Sequence, residues 1–211
     1  MGGAGATNVE WMACLGGSAL VAPIDGVLMP VGTPTHATRI APAGRRVEPA
    51  SGCTFTALAV DDVAANRKLV RLFLAKVGGD VVVAGDGVEA LEMMRSRDFD
   101  VVLCDIQMPK MNGLDCVRHL RSWEVEEGLA PAGRMRVCAF TALASVADAQ
   151  RCLDVGMDGV LTKPLTRLKL NAMLSSLGVQ FDATRKRGGS GSKTTTNRPR
   201  RLTPVMMQLQ Q

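Results

Sequence analysis

DVVLCDIQMPK (residues 100–110) begins as a strand and ends as a loop. Val101, Val102, Leu103 and Cys104 are apolar without alternation, as expected of a strand covered on both faces by helices in a parallel sheet. Asp105 breaks the run, and the Pro109 and Asn112-Gly113 that follow mark a loop. The same unit repeats outward in both directions. ALAV (57–60) ends in Asp61-Asp62, DVVVAG (80–85) is a second strand, MRVCAFTA (135–142) carries Thr141 near its end, and GVLTKP (159–164) leads into Lys163. Between these runs, apolar residues fall at helical spacing. Leu69, Val70, Phe73, Leu74 and Val77 precede a Gly78-Gly79 stop, and Val88, Leu91 and Met94 mark a helix ending near Ser96. Leu114, Val117, Leu120 and Val125 mark a third helix, Val146 to Leu153 a fourth and Leu165 to Leu177 a fifth.

Five strand–helix units in roughly 125 residues describe one doubly wound α/β domain with a five-stranded parallel sheet. Its expected span is 56–180. Residues 1–55, rich in Gly, Ala, Pro and Thr, and residues 181–211 have no sustained periodicity and read as disordered flanks.

Apolar residues make up 46% of the 211, enough for a sizeable core, while aromatics are only 3% and Tyr is absent, so the core must be built from Val, Leu, Ala and Met. The net charge of +5 is concentrated at the end of the chain: Arg185, Lys186, Arg187, Lys193, Arg198, Arg200 and Arg201 face only Asp182. The basic balance therefore describes a tail, and nucleic acid is not an expected partner of the domain. Cys14, Cys53, Cys104, Cys116, Cys138 and Cys152 form no CxxC and no zinc-ligand spacing with His36 or His119, and read as buried thiols of a reducing compartment. The longest apolar stretch, Trp11 to Val31, is interrupted by Gly16, Gly17, Pro23, Asp25 and Pro30, so no membrane span is expected. The location implied is intracellular: cytoplasmic or, through the basic runs, nuclear.

The polar residues that break the apolar strands all fall at carboxyl ends, where open α/β sheets bind ligands: Asp61 and Asp62, Asp105, Thr141 and Lys163. Three carboxylates in one cleft repel each other and call for a cation; oxygen ligands suit a hard ion, and Mg²⁺ with several retained waters fits best. With a lysine and a hydroxyl, these are the parts that phosphoryl transfer to an aspartate requires.

VDDVAANRKL, VLCDIQMPKMNGLD, AFTALA and GMDGVLTKPL, in this order, resemble the receiver domain of response regulators, in wording most like receivers attached to hybrid histidine kinases. The resemblance covers residues 57 to about 178. It implies a flavodoxin-like sheet in the order 2-1-3-4-5, the order known for the chemotaxis member of that family. It implies Asp105 as phosphoacceptor, Asp62 as a direct Mg²⁺ ligand, Asp61 as a ligand through water, and Gln107 as a ligand through its main-chain carbonyl. Thr141 and Lys163 would bind phosphoryl oxygens, and the bond before Pro164 would be cis. A histidine kinase or histidine phosphotransfer protein would be the donor, in phosphorelay signal transduction, with a downstream effector the sequence does not name. The chain would be a module that catalyses only its own phosphorylation and dephosphorylation, not an enzyme in the ordinary sense.

Two departures stand out. The aromatic common three residues before the lysine is Val160 here, and the loop EEGLAPAGR (126–134) is long. Two other readings compete. An aspartate-nucleophile phosphatase of the haloacid dehalogenase type would need its nucleophile in a DxD after the first strand, but Asp105 is followed by Ile106-Gln107. A receiver-like scaffold that is never phosphorylated would not need the intact set of five residues.

Overall fold

Runs that are apolar on both faces can be buried only between two layers, and three such runs form the middle of the sheet. The computed structural model describes residues 27–29, 48–142 and 145–183. β1 is Val27–Leu28, β2 Phe55–Val60, β3 Gly79–Ala84, β4 Val101–Cys104, β5 Val137–Thr141 and β6 Gly159–Thr162. The helices are α1 (Ala64–Lys76), α2 (Gly87–Ser96), α3 (Gly113–Glu126), α4 (Val146–Asp154) and α5 (Arg167–Ser176). Every residue of β2, β4 and β5 is buried. One core layer joins the sheet to α2, α3 and α4 through Ala90, Leu91, Met94, Val117, Leu120 and Cys152. The other joins it to α1 and α5 through Val70, Leu74, Leu170, Met173 and Leu174. Among the described residues no helix is long and apolar enough to cross a membrane.

The sheet order is β1-β6-β5-β4-β2-β3. Without β1 this is the expected 2-1-3-4-5 parallel arrangement. The sixth strand corrects the expectation of five: Val27 and Leu28 pair antiparallel with Leu161 and Val160 along the outer edge of β6. They come from a flank read as disordered. A two-residue strand carries no periodicity to read. Its position follows from the unpaired main-chain groups that an edge strand offers, and Met29 packs so close over Gly159 that a Cβ there would lie 2.4 Å from its sulfur. The remainder of residues 1–47, and the basic tail from 184 onward, lie outside the described residues.

Four helices begin on a side-chain cap. Asp86 accepts from the Val88 and Glu89 amides, Asn112 from Asp115, Ser145 from Asp148 and Thr166 from Lys169. The long loop before β5 holds a 3₁₀ turn, Pro131–Gly133. It is fastened by a charge network at the amino ends of the strands. Glu124 is fully buried, accepts from the Met135 amide at 2.8 Å and pairs with Arg121 at 2.7 Å. Arg121 also donates to the Gly156 and Met135 carbonyls and to Asp158. Arg121→Ala would strand the Glu124 carboxylate without its cation, so a loss of about 3 kcal/mol is expected in urea unfolding. A loss below about 1 kcal/mol, as for exposed pairs, would show that the network does not hold the loop.

Candidate active site

Parallel register brings the acidic residues together. Val60 lies opposite Cys104, so Asp61 and Asp105 leave adjacent strands side by side, and the Asp105 amide donates to the Val60 carbonyl at 2.9 Å. Both are buried. Asp62, one residue further along, is exposed. Ligand oxygens of Asp61, Asp62 and Asp105 all lie within 4.8 Å of one another.

On the other side of β4, β5 ends at the buried Thr141, which pairs with Thr162 of β6. The Lys163 amide donates to the Thr141 carbonyl at 2.8 Å, and the Lys163–Pro164 bond is cis. Lys163 Nζ donates to Asp105 Oδ2 at 2.6 Å and to Asp61 Oδ2 at 2.9 Å, and lies 5.1 Å from the centre of the Phe140 ring. Asp61 Oδ1 accepts from the Val63 amide at 2.8 Å and from Asn66 Nδ2 at 3.0 Å. Asp105 Oδ1 has only a long contact, 3.4 Å, with the Gln107 amide. No hydrogen bond reaches the Asp62 carboxylate among the described residues. Asp62 and Gln107 line an open cavity of about 470 Å³ with Met108, Pro109 and Asn112.

The electrostatics follow from this packing. Burial pushes the Asp105 carboxyl above the usual carboxylate range; Lys163 opposes the shift, and the neighbouring Asp61 adds to it. Burial alone would lower Lys163, but its bonds to Asp105 and Asp61 outweigh that and hold the ammonium above an ordinary lysine. One ammonium against three ionised carboxylates leaves a formal charge of −2 in the cleft. A divalent cation with oxygen ligands balances that charge, so the donor set fits Mg²⁺.

The loops are held from outside the cleft by contacts that a reading of motifs does not foresee. Lys110, at φ 64°, reaches back to Asp86 at 2.5 Å and pins the loop after Asp105 to the start of α2. The ammonium holds Asp86 below the usual carboxylate range. Lys169 donates to the Thr162 and Pro164 carbonyls on either side of Lys163, at 3.0 and 3.2 Å. Gly113 is required by contact, since a Cβ there would lie 2.3 Å from the Asp105 carbonyl oxygen. His119 is exposed on α3, away from these residues.

The family model for the response regulator receiver domain matches residues 57–175. The chain belongs to that family. This receiver is 42% identical over 117 residues to the aerobic respiration control sensor protein ArcB of Escherichia coli K12, an alignment covering 56% of the chain and 14% of that protein. It thus spans only a small part of the curated relatives it matches. Among solved structures, the chemotaxis response regulator CheY4 of Vibrio cholerae is 30% identical with a TM-score of 0.52, covering 59% of the receiver and 98% of that chain. The receiver domain of the sensor histidine kinase PA1611 from Pseudomonas aeruginosa PAO1 is 26% identical, also with a TM-score of 0.52, covering 60% and 99%. That structure has a magnesium ion coordinated in its active site cleft. No phosphatase of the haloacid dehalogenase type is among these likenesses, and the family places this receiver in phosphorelay signal transduction.

A carboxyl whose folded pKa is raised opposes folding once the pH is high enough to ionise it, and the penalty disappears as the pH falls through the folded pKa. Asp105→Asn is therefore expected to raise the melting temperature at neutral pH without Mg²⁺. The gain should shrink on acidification into the carboxylate range. Equal melting temperatures across that range would show that the Asp105 charge carries no folding penalty.

Proposed function

We propose that this receiver takes a phosphoryl group from a phosphohistidine onto Asp105, with Mg²⁺ held by Asp62, Asp105 and the Gln107 main-chain carbonyl, and by Asp61 through water. The observation that carries the reading is the convergence of Asp61, Asp62, Asp105 and Lys163 on one cleft with a formal charge of −2. Mg²⁺, when bound, would neutralise negative charge that develops on the transferring group.

The chain's own residues do the rest. An Asp105 oxygen attacks phosphorus, the phosphorus–nitrogen bond of the donor breaks, and the imidazole leaves with the electron pair. Lys163 is positioned to pair with one phosphoryl oxygen, since its ammonium already lies 2.6 Å from Asp105 Oδ2. The Thr141 hydroxyl donates to another. Burial of Asp105 strengthens these charge interactions relative to water. The donor is a histidine kinase or a histidine phosphotransfer protein, a reading supported by the likeness to the receiver domain of a sensor histidine kinase. The receiver acts as a switch module, and hydrolysis of its own acyl phosphate resets it. An intracellular site of action accords with Cys53, Cys104, Cys116, Cys138 and Cys152, all free thiols.

Asp105→Asn should abolish hydroxylamine-sensitive labelling from a small phosphodonor, because the amide has no nucleophilic oxygen; labelling at the wild-type rate would reject the acceptor. Asp62→Ala should weaken Mg²⁺ binding more than about tenfold in calorimetric titration. Unchanged affinity would remove Asp62 from the metal site.

A further inference from the structure

Two side chains of α1 grip the acidic pair from outside the cavity, and none of the steps above uses them. Arg67 Nη1 donates to the main-chain carbonyl of Asp61 at 2.6 Å and to that of Asp62 at 2.9 Å. Asn66 Nδ2 donates to Asp61 Oδ1 at 3.0 Å. We propose that Arg67, assisted by Asn66, is a positioning residue for divalent-cation binding: it fixes the two peptide planes that flank Asp62 and so aims the Asp62 carboxylate at the cavity. This inference rests on the reading of Asp61, Asp62 and Asp105 as the metal-binding cluster.

The carbonyls of Asp61 and Asp62 belong to the peptides before and after the Asp62 α-carbon, and together these set the direction of its Cα–Cβ bond. Asp61 needs little such help, because its carboxylate is tied to Val63, Asn66 and Lys163. The Asp62 carboxylate is exposed and has no hydrogen bond of its own among the described residues, so its direction is inherited from the main chain. A free side chain there would spread over several rotamers, and each would have to be given up when a cation binds.

The helix itself does not favour an arginine at this place. Arg67 is the fourth residue of α1, whose first turn carries no acidic residue, and a cation at a helix amino end opposes the helix dipole. The two carbonyls account for its presence. Groups behind metal ligands commonly cost about 10–100-fold in metal affinity when removed.

The test is calorimetric Mg²⁺ titration of the full chain, paired with labelling by acetyl phosphate as a function of Mg²⁺ concentration and with melting curves taken without metal. Arg67→Ala is expected to weaken Mg²⁺ binding at least about tenfold. The Mg²⁺ concentration for half-maximal labelling should rise by a similar factor, while the rate at saturating Mg²⁺ changes far less. Arg67→Lys, whose ammonium can reach the same carbonyls, should restore most of the affinity. Arg71→Ala removes the same charge from an exposed position on the same helix and should leave the affinity within about twofold of wild type.

Wild-type affinity in Arg67→Ala would overturn the inference and leave the metal cluster standing. So would equal losses in Arg67→Ala and Arg71→Ala, which would make the effect one of net charge. If Arg67→Ala does not fold, Arg67→Met, which keeps the length of the side chain without its donors, decides: a clear loss of Mg²⁺ affinity supports the grip, and none rejects it. A wild-type chain that binds no Mg²⁺, or an Asp62→Ala variant that binds as well as wild type, would instead overturn the reading of the cluster itself.

Discussion

Two buried carboxylates lie side by side with a lysine ammonium between them, Lys163 being 2.6 Å from Asp105 and 2.9 Å from Asp61. Parallel pairing of β2 with β4 forces the carboxylates into this position, because the residues that follow Val60 and Cys104 have nowhere else to go. Ionised carboxylates at such separations repel strongly once water is excluded. Lys163 relieves part of that repulsion, and the remainder makes the cleft a place where a cation is favoured. The reactive properties of the site are thus a by-product of strand register.

The rest of the fold makes that arrangement affordable. A core mostly of Val, Leu, Ala, Met and Cys, with Phe55, Phe99 and Phe140 buried among them, supplies apolar burial on both faces of the sheet. Away from the cleft, two carboxylates, Glu124 and Asp86, are satisfied locally. Glu124 is buried with both oxygens bonded, and Asp86 caps α2 while holding Lys110. Three of the loops at the carboxyl ends of the strands are tied down by a cation set outside the cavity: Arg67 for β2–α1, Lys110 for β4–α3 and Lys169 for β6–α5. The cleft can therefore keep an exposed, unbonded carboxylate at Asp62 and a half-bonded one at Asp105 without the surrounding loops losing their shape.

Val160 shows how a local departure is absorbed. It is buried in β6 and faces Leu28 of β1 across the antiparallel pair. The sheet edge that would otherwise carry unpaired main-chain groups is covered by a piece of the amino-terminal flank. A short β-branched residue suits a strand bonded on both edges.

Much of this was legible in the residues. Uninterrupted apolar strands, helices at three- and four-residue spacing and polar residues confined to strand ends specified a doubly wound parallel fold and named Asp61, Asp62, Asp105, Thr141 and Lys163, because burial on two faces leaves a periodic signature along the chain. Other features left none. The pairing of Val27-Leu28 with β6 depends on an edge formed by residues more than a hundred positions away. The burial of Glu124 depends on where Arg121 and the Met135 amide come to rest. The grip of Arg67 is local in sequence, yet an arginine early in a helix reads as an ordinary solvated charge until the two carbonyls are seen beneath it. Sequence alone determined the order of strands and helices and which polar groups meet at the end of the sheet. Only the tertiary structure decided how those groups are paired and aimed, because hydrogen-bond geometry is set by the packing of distant elements and not by the order of residues along the chain.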